Sequence, residues 1–325
     1  MTVAMQMQST RSMWLILVVL FVNVGATFTS ETTYQSAVKF KYFNERNESN
    51  IFQPNTQCNS GENTKLAVIV HGWMESCETV WVKTLMHNLN TYRHGCIVCM
   101  DYSIFSMNSN YYALVRDFNG IANVLTKKLK DFQALSFVPN NIYMFGFSFG
   151  AQLVLEAGRR FGKKLIKQID VCDPAGPGFD NNILHSRNSP RNSAQNVQCI
   201  HTSANKGTRK RDCHQNWNMG NCGNTQAAAG PRPLGSHGLC PYFYTTAFQH
   251  RFLAIPKPSN CRSNRIAPGN IIGNFSMGYM DALKYEGRFT EGHDFFANTF
   301  KTPPYNIESD GSNIIESEDE NLDYY

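Results

Sequence analysis

Asn141-Ile142-Tyr143-Met144-Phe145-Gly146-Phe147-Ser148-Phe149-Gly150-Ala151-Gln152-Leu153 is the stretch from which the fold is read. Ile142 to Phe145 is an apolar and aromatic run of strand type. Gly146-Phe147-Ser148-Phe149-Gly150 comes at once after it, and Ala151 to Phe161 is a helix-forming run. Strand, Gly-x-Ser-x-Gly and helix in succession form the context of a nucleophile elbow, a sharp turn that exposes a serine hydroxyl. The strand and helix approach so closely there that Gly146 and Gly150 leave no room for a Cβ.

Upstream, Leu66 to Val70 is a short apolar run of the buried parallel-strand type, ending in His71-Gly72-Trp73. Cys96 to Tyr102 reads as a second strand. From Tyr112 to Phe132, Leu114, Phe118, Ile121, Leu125, Leu129 and Phe132 fall on one helical stripe. Downstream of the elbow helix, Lys167 to Cys172 and Val197 to His201 read as further strands. Alternating strands and helices predict an α/β fold, a mostly parallel central sheet with helices on both faces. Thr27 to Thr64 reads as irregular, Lys206 to Gly235 as a long polar loop and Tyr242 to Leu253 as helical. The remainder to Phe300 shows little periodicity.

The ends differ from this body. Arg11 precedes the apolar run Met13 to Val22, and Val24-Gly25-Ala26 supplies the small residues of a cleavage site. Residues 1–26 are therefore expected to be a secretory signal peptide, and residues 27–306 the catalytic-type domain. The apolar run is too short to span a bilayer, so no transmembrane segment is expected. Residues 307–325 carry seven acids and no Lys or Arg, an expected disordered tail. The net charge of +5 therefore hides a body of +11 once the tail and Arg11 are set aside. Such a body could meet an anionic lipid surface or a sulfated glycan, whereas nucleic acid does not suit a secreted chain. Hydrophobic residues at 42% suffice for a sizeable core and exclude global disorder.

Ten cysteines behind a signal peptide predict a disulfide framework of unassigned connectivity. Cys172, at the end of a buried strand, has a free core thiol as its alternative. Cys96 and Cys99 face opposite sides of a strand, which argues against a shared metal. Asn47-Glu48-Ser49 and Asn274-Phe275-Ser276 are glycosylation acceptors.

A serine nucleophile needs a histidine base held by a carboxylate. Asp173 sits just past a strand, where catalytic loops of parallel sheets lie, whereas its competitor Asp170 lies inside that strand. Six histidines come after Asp173, and composition does not choose among them. His237 is the candidate because its loop precedes a helix and adjoins Cys240.

The chain resembles the pancreatic (neutral) lipase family of α/β-hydrolases. The resemblance rests on Val70-His71-Gly72-Trp73, Gly146-Phe147-Ser148-Phe149-Gly150, Glu156-Ala157-Gly158-Arg159-Arg160 and Asp173-Pro174-Ala175-Gly176-Pro177. Ile200-His201-Thr202 and Ser236-His237 with Tyr242 and Phe243 complete it. It implies Ser148 as nucleophile, His237 as base and Asp173 as the acid that holds it. The amides of Trp73 and Phe149 would form the oxyanion hole, with no cofactor and no metal. Phe147 and Phe149 stand where family lipases usually have His and Leu. The segment from Cys222 to His237 is short for the family's lid and differently stapled, which resembles the phospholipase A1 branch. The sequence also ends where the family's C-terminal β-sandwich would begin. The expected function is a secreted ester hydrolase cleaving acyl esters of lipids, triacylglycerol or phospholipid at sn-1, at a lipid interface. The alternative is a non-catalytic carrier like the yolk proteins of the same family; they have lost the triad that stands here.

Overall fold

The runs Leu66–Val70 (β3), Cys96–Asp101 (β4), Ile142–Phe147 (β5), Gln168–Cys172 (β6) and Asn196–His201 (β7) form parallel neighbours at the centre of one sheet. The computed structural model describes residues 32–43, 50–51, 58, 61, 63–162, 164–181, 189–230 and 235–307. The expected signal peptide, the tail beyond Ile307, Asn47 and His185 lie outside them. With Lys39–Tyr42 (β1), Asn50–Ile51 (β2), Gln215–Met219 (β8) and His293–Ala297 (β11), the sheet runs in the order β11-β8-β7-β6-β5-β3-β4-β1-β2. Only the β1–β4 and β1–β2 pairs in it are antiparallel. Phe252–Leu253 (β9) and Ser276–Met277 (β10) form a separate antiparallel pair. Among the described residues no helix is long and apolar enough to cross a membrane.

Successive side chains of a strand point to opposite faces, and the core divides accordingly. Leu66, Val68 and Val70 pack against the helices Tyr111–Ala134 and Phe149–Phe161. Ala67 and Ile69 pack on the other face against the helices Val80–Tyr92 and Gly235–Thr246. All five β3 residues are buried, which is why the strand reads as a continuous apolar run and not as an alternation.

Three segments read without strands contribute strands to the sheet. Inside the segment read as a polar loop, Gln215–Met219 is a fully buried strand. Its amide N–H groups find internal acceptors: Gln215 donates to Asn196 Oδ1 at 3.1 Å and Asn218 to the Phe295 carbonyl at 3.2 Å. Its parallel partner His293–Ala297 closes that edge from the stretch read as aperiodic. The N-terminal stretch read as irregular contributes β1.

The register fixes where loops emerge. Val70 pairs with Gly146, Gly146 with Val171, and Cys172 with Ile200. The C-terminal ends of β3, β5, β6 and β7 are therefore level, and the segments leaving these strands gather at one edge. There lie His71–Trp73, Ser148, Asp173 and Thr202–Ser203.

Candidate active site

Ser148 comes directly after β5 and precedes its helix. Its backbone is left-handed, with φ 54° and ψ −117°. For a residue with a Cβ this costs about 1–3 kcal/mol, which the packing on both sides must offset. The packing is tight. A Cβ on Gly146 would meet the Gly150 carbonyl and the Ala151 backbone, and one on Gly150 would meet the carbonyls of His71 and Val70. Glycine at both positions lets the helix start rest against the end of β3.

Asp173 comes after β6 with φ 38°, and its carboxylate is fully buried. Oδ1 accepts from the backbone N–H of Thr202 at 3.0 Å and of Ser203 at 3.2 Å. Oδ2 accepts from the Ser203 hydroxyl at 2.5 Å. The same Oδ2 lies 2.6 Å from His237 Nδ1, and His237 Nε2 lies 2.8 Å from Ser148 Oγ. In the tautomer these contacts select, Nδ1–H donates to Asp173 and Nε2 accepts from the serine hydroxyl.

His237 is not in a loop. It is the third residue of the helix Gly235–Thr246, entered through Gly235 at φ 50°. The early start escapes a reading by composition because Gly235, Gly238 and Pro241 are poor helix formers. Cys240, one turn on, is bonded to Cys172 at the end of β6. That bond ties the histidine's helix to the strand that delivers Asp173, and Cys172 is not a free thiol. The Phe147 ring packs on the imidazole at 4.9 Å between centroids. The other pairs are Cys58–Cys96, Cys77–Cys99, Cys199–Cys213 and Cys222–Cys261. Cys96 and Cys99 thus bond to different partners, and the segment before His237 is stapled from Cys222 to Cys261.

The competitors lie elsewhere. Asp170 is buried and accepts from Gln168, Tyr143 and Tyr244. Burial pushes its carboxyl up to about 6 against those donors. His201 is fully buried, and burial with the nearby Arg211 cation holds its imidazole well below the ordinary range. His214 accepts from the Val197 N–H at Nδ1, and burial pushes it down to about 4. His250 is exposed.

The turn after β3 supplies the other side of the site. The Gly72 N–H and Met74 N–H are engaged, by Glu75 at 2.7 Å and by the Ser106 carbonyl at 2.9 Å. The Trp73 amide lies between them. Phe149 is the first residue of its helix, so its amide stands outside the helical ladder. His71 fixes the Trp73 peptide, because its Nδ1 lies 3.0 Å from the Gly72 carbonyl, which shares that peptide plane. Burial pushes His71 down to about 4, so the ring is neutral and Nδ1 can carry the donated hydrogen. Sequence reading missed Ser203 as well as His71 and Glu75 in these supporting places. For Ser203 the only signal was its position, two residues past β7.

Level strand ends that carry a Ser–His–Asp relay at the C-terminal edge of a doubly covered parallel sheet define an α/β-hydrolase fold. The Lipase family model matches residues 23–222, more than half of the chain, and the chain belongs to that family. It is 28% identical over 135 residues to lipase member H of Danio rerio, covering 41% of this chain and 29% of that one. It is 28% identical over 174 residues to pancreatic triacylglycerol lipase of Sus scrofa, covering 51% and 38%. Lipoprotein lipase of Sus scrofa is 28% identical over 149 residues, covering 45% and 30%. The matches thus span well under half the length of these relatives.

Proposed function

We propose that this chain is a serine ester hydrolase that cleaves acyl esters of lipids. The observation that carries the reading is the pair of contacts at His237, 2.8 Å to Ser148 Oγ and 2.6 Å to Asp173 Oδ2. In this reading Ser148 Oγ attacks the ester carbonyl while Nε2 of His237 takes its proton. Asp173 holds the ring and stabilises the imidazolium that forms. The carbonyl oxygen becomes an oxyanion received by the Trp73 and Phe149 amides, each worth about 3 kcal/mol in the transition state. The intermediate collapses, His237 returns its proton to the leaving alcohol, and a serine acyl ester remains. Water, deprotonated by His237, then attacks that ester and releases the fatty acid.

Names of the relatives, pancreatic triacylglycerol lipase among them, support a lipid acyl ester as substrate; what favours a phospholipid cleaved at sn-1 is the short segment from Cys222 to His237. Five disulfides and the expected signal peptide support a secreted protein. The intact triad disfavours a carrier of the yolk-protein kind.

The test is fluorophosphonate labelling of the purified chain, with hydrolysis of triacylglycerol, phosphatidylcholine and a soluble short-chain ester measured side by side. Labelling should map to Ser148, and Ser148→Ala should abolish both labelling and turnover while secretion persists. A wild-type chain that neither labels nor turns over any of the three esters refutes the reading.

A further inference from the structure

The turn after β3 holds a buried carboxylate that neither attacks the ester nor moves a proton in this reaction sequence. Glu75 is 9% exposed. Its Oε2 accepts from the Gly72 N–H at 2.7 Å, and its Oε1 accepts from Trp81 Nε1–H at 2.8 Å. Its own carbonyl accepts from the Ser106 hydroxyl at 2.8 Å. A Cβ on Gly72 would press on Oε2 and on the Phe147 ring, so the carboxylate packs directly under the peptide next to Trp73. Among the described residues no lysine, arginine or histidine pairs with it.

Burying a carboxylate with no cation is costly, and a structural need alone would be met by a neutral group. What the carboxylate offers is two acceptors at once, one for a backbone N–H and one for an indole N–H. We propose that Glu75 is a positioning residue for ester hydrolysis at Ser148: its ionised carboxylate bridges Gly72 and Trp81 and so aims the Trp73 amide at the oxyanion. The inference rests on the serine-hydrolase reading of the site. His71 holds the carbonyl end of the Gly72–Trp73 peptide, and Glu75 holds the peptide before it. Between them they leave the Trp73 N–H one direction.

The bridge responds to protonation. A proton on either oxygen places a hydrogen opposite an N–H donor and breaks one of the two bonds. Burial pushes the Glu75 carboxyl up to about 7, the Trp81 and Gly72 donors opposing it. The groups that face it are the Tyr102 phenol from the end of β4, the Trp81 indole and the Phe147 ring from β5. Of these only Tyr102 is titratable, and burial with the Glu75 charge keeps its phenol neutral. The aimed oxyanion hole therefore forms as the pH rises past neutrality.

The test uses the full secreted chain, a soluble short-chain nitrophenyl ester and the pH dependence of kcat and KM. Glu75→Gln keeps the shape but sets one amide N–H against a donor. It should lower kcat at pH 8 by about ten- to a hundredfold, short of the roughly 10²–10³ of losing a whole donor. KM should stay within about threefold, because the lost interaction belongs to the transition state. The acid limb of wild-type kcat/KM should contain two ionisations and that of Glu75→Gln one. Trp81→Phe retains the carboxylate and removes one donor. It should cost less in kcat and move the Glu75 ionisation to higher pH. The proposal falls if Glu75→Gln keeps kcat within about threefold of wild type, or loses activity equally at every pH with the acid limb unchanged. If Glu75→Gln does not fold, an unmoved acid limb in Trp81→Phe overturns it. An inactive wild-type chain refutes the underlying reading itself, an outcome distinct from either.

Discussion

Ser203→Ala isolates the support of the triad acid without touching the triad. The hydroxyl donates to Asp173 Oδ2 at 2.5 Å, accepts from the Gly207 N–H at 3.0 Å and lies 3.5 Å from His237 Nδ1. Ser203 is 1% exposed, so water cannot replace it without rearrangement. A hydrogen bond to a charged group contributes about 1.5–3 kcal/mol, and a buried N–H left without an acceptor costs about 1–3 kcal/mol. The two overlap in one small space, and a net loss of about 3 kcal/mol is expected, read as a lower urea midpoint with unchanged slope. Catalysis should respond differently. Oδ1 keeps its two backbone donors, so the carboxylate stays in place. The plateau of kcat should therefore fall less than about tenfold. An unfolding free energy within about 0.5 kcal/mol of wild type would refute the role of Ser203 as the support of Asp173.

The same geometry makes three further outcomes testable. Gly207→Ala places a Cβ against the Asp173 carboxylate, so it should abolish turnover with every triad residue present, read against fluorophosphonate labelling. Removing the Cys172–Cys240 bond with two alanines opens a loop of separation 68, which chain entropy values at about 4 kcal/mol; calorimetry should show it, with activity lost below the new melting temperature as the His237 helix loosens. His214 is held neutral by burial, down to about 4. Its contribution to stability is present above its unfolded value near 6.5 and is lost as the pH falls toward 4. His214→Gln should therefore reduce proton uptake on unfolding at pH 5 by about one, measured from the pH slope of the urea midpoint.

Much of this site was legible in the chain. The elbow could be read because sterics allow few sequences to turn so sharply, and Gly146 and Gly150 stand where a Cβ would strike backbone. Asp173 could be read because a strand's end positions the next residue. The helix Val80–Tyr92 went unread, although Trp81, Leu85 and Leu89 stand at helical spacing. The strand Gln215–Met219 carried no such signal, since its buried side chains are mostly amides and hydropathy cannot see the acceptors their N–H groups find across the sheet. His237 was legible as a candidate, but composition reads its segment as a loop, because glycine and proline hide a helix whose start is held by a disulfide and by packing.

The chain alone set the kind of fold and the kind of chemistry, since strand period, elbow sterics and a serine between glycines are properties of adjacent residues. Tertiary structure decided which histidine and which carboxylate belong to Ser148. Sequence separations of 89 and 64 collapse to 2.8 Å and 2.6 Å only through the level register of β5 and β6 and the Cys172–Cys240 bond. It also decided what supports them. Ser203 and Glu75 stand where they do because the ends of β7 and β3 face the same edge, and no local pattern encodes a meeting between strands.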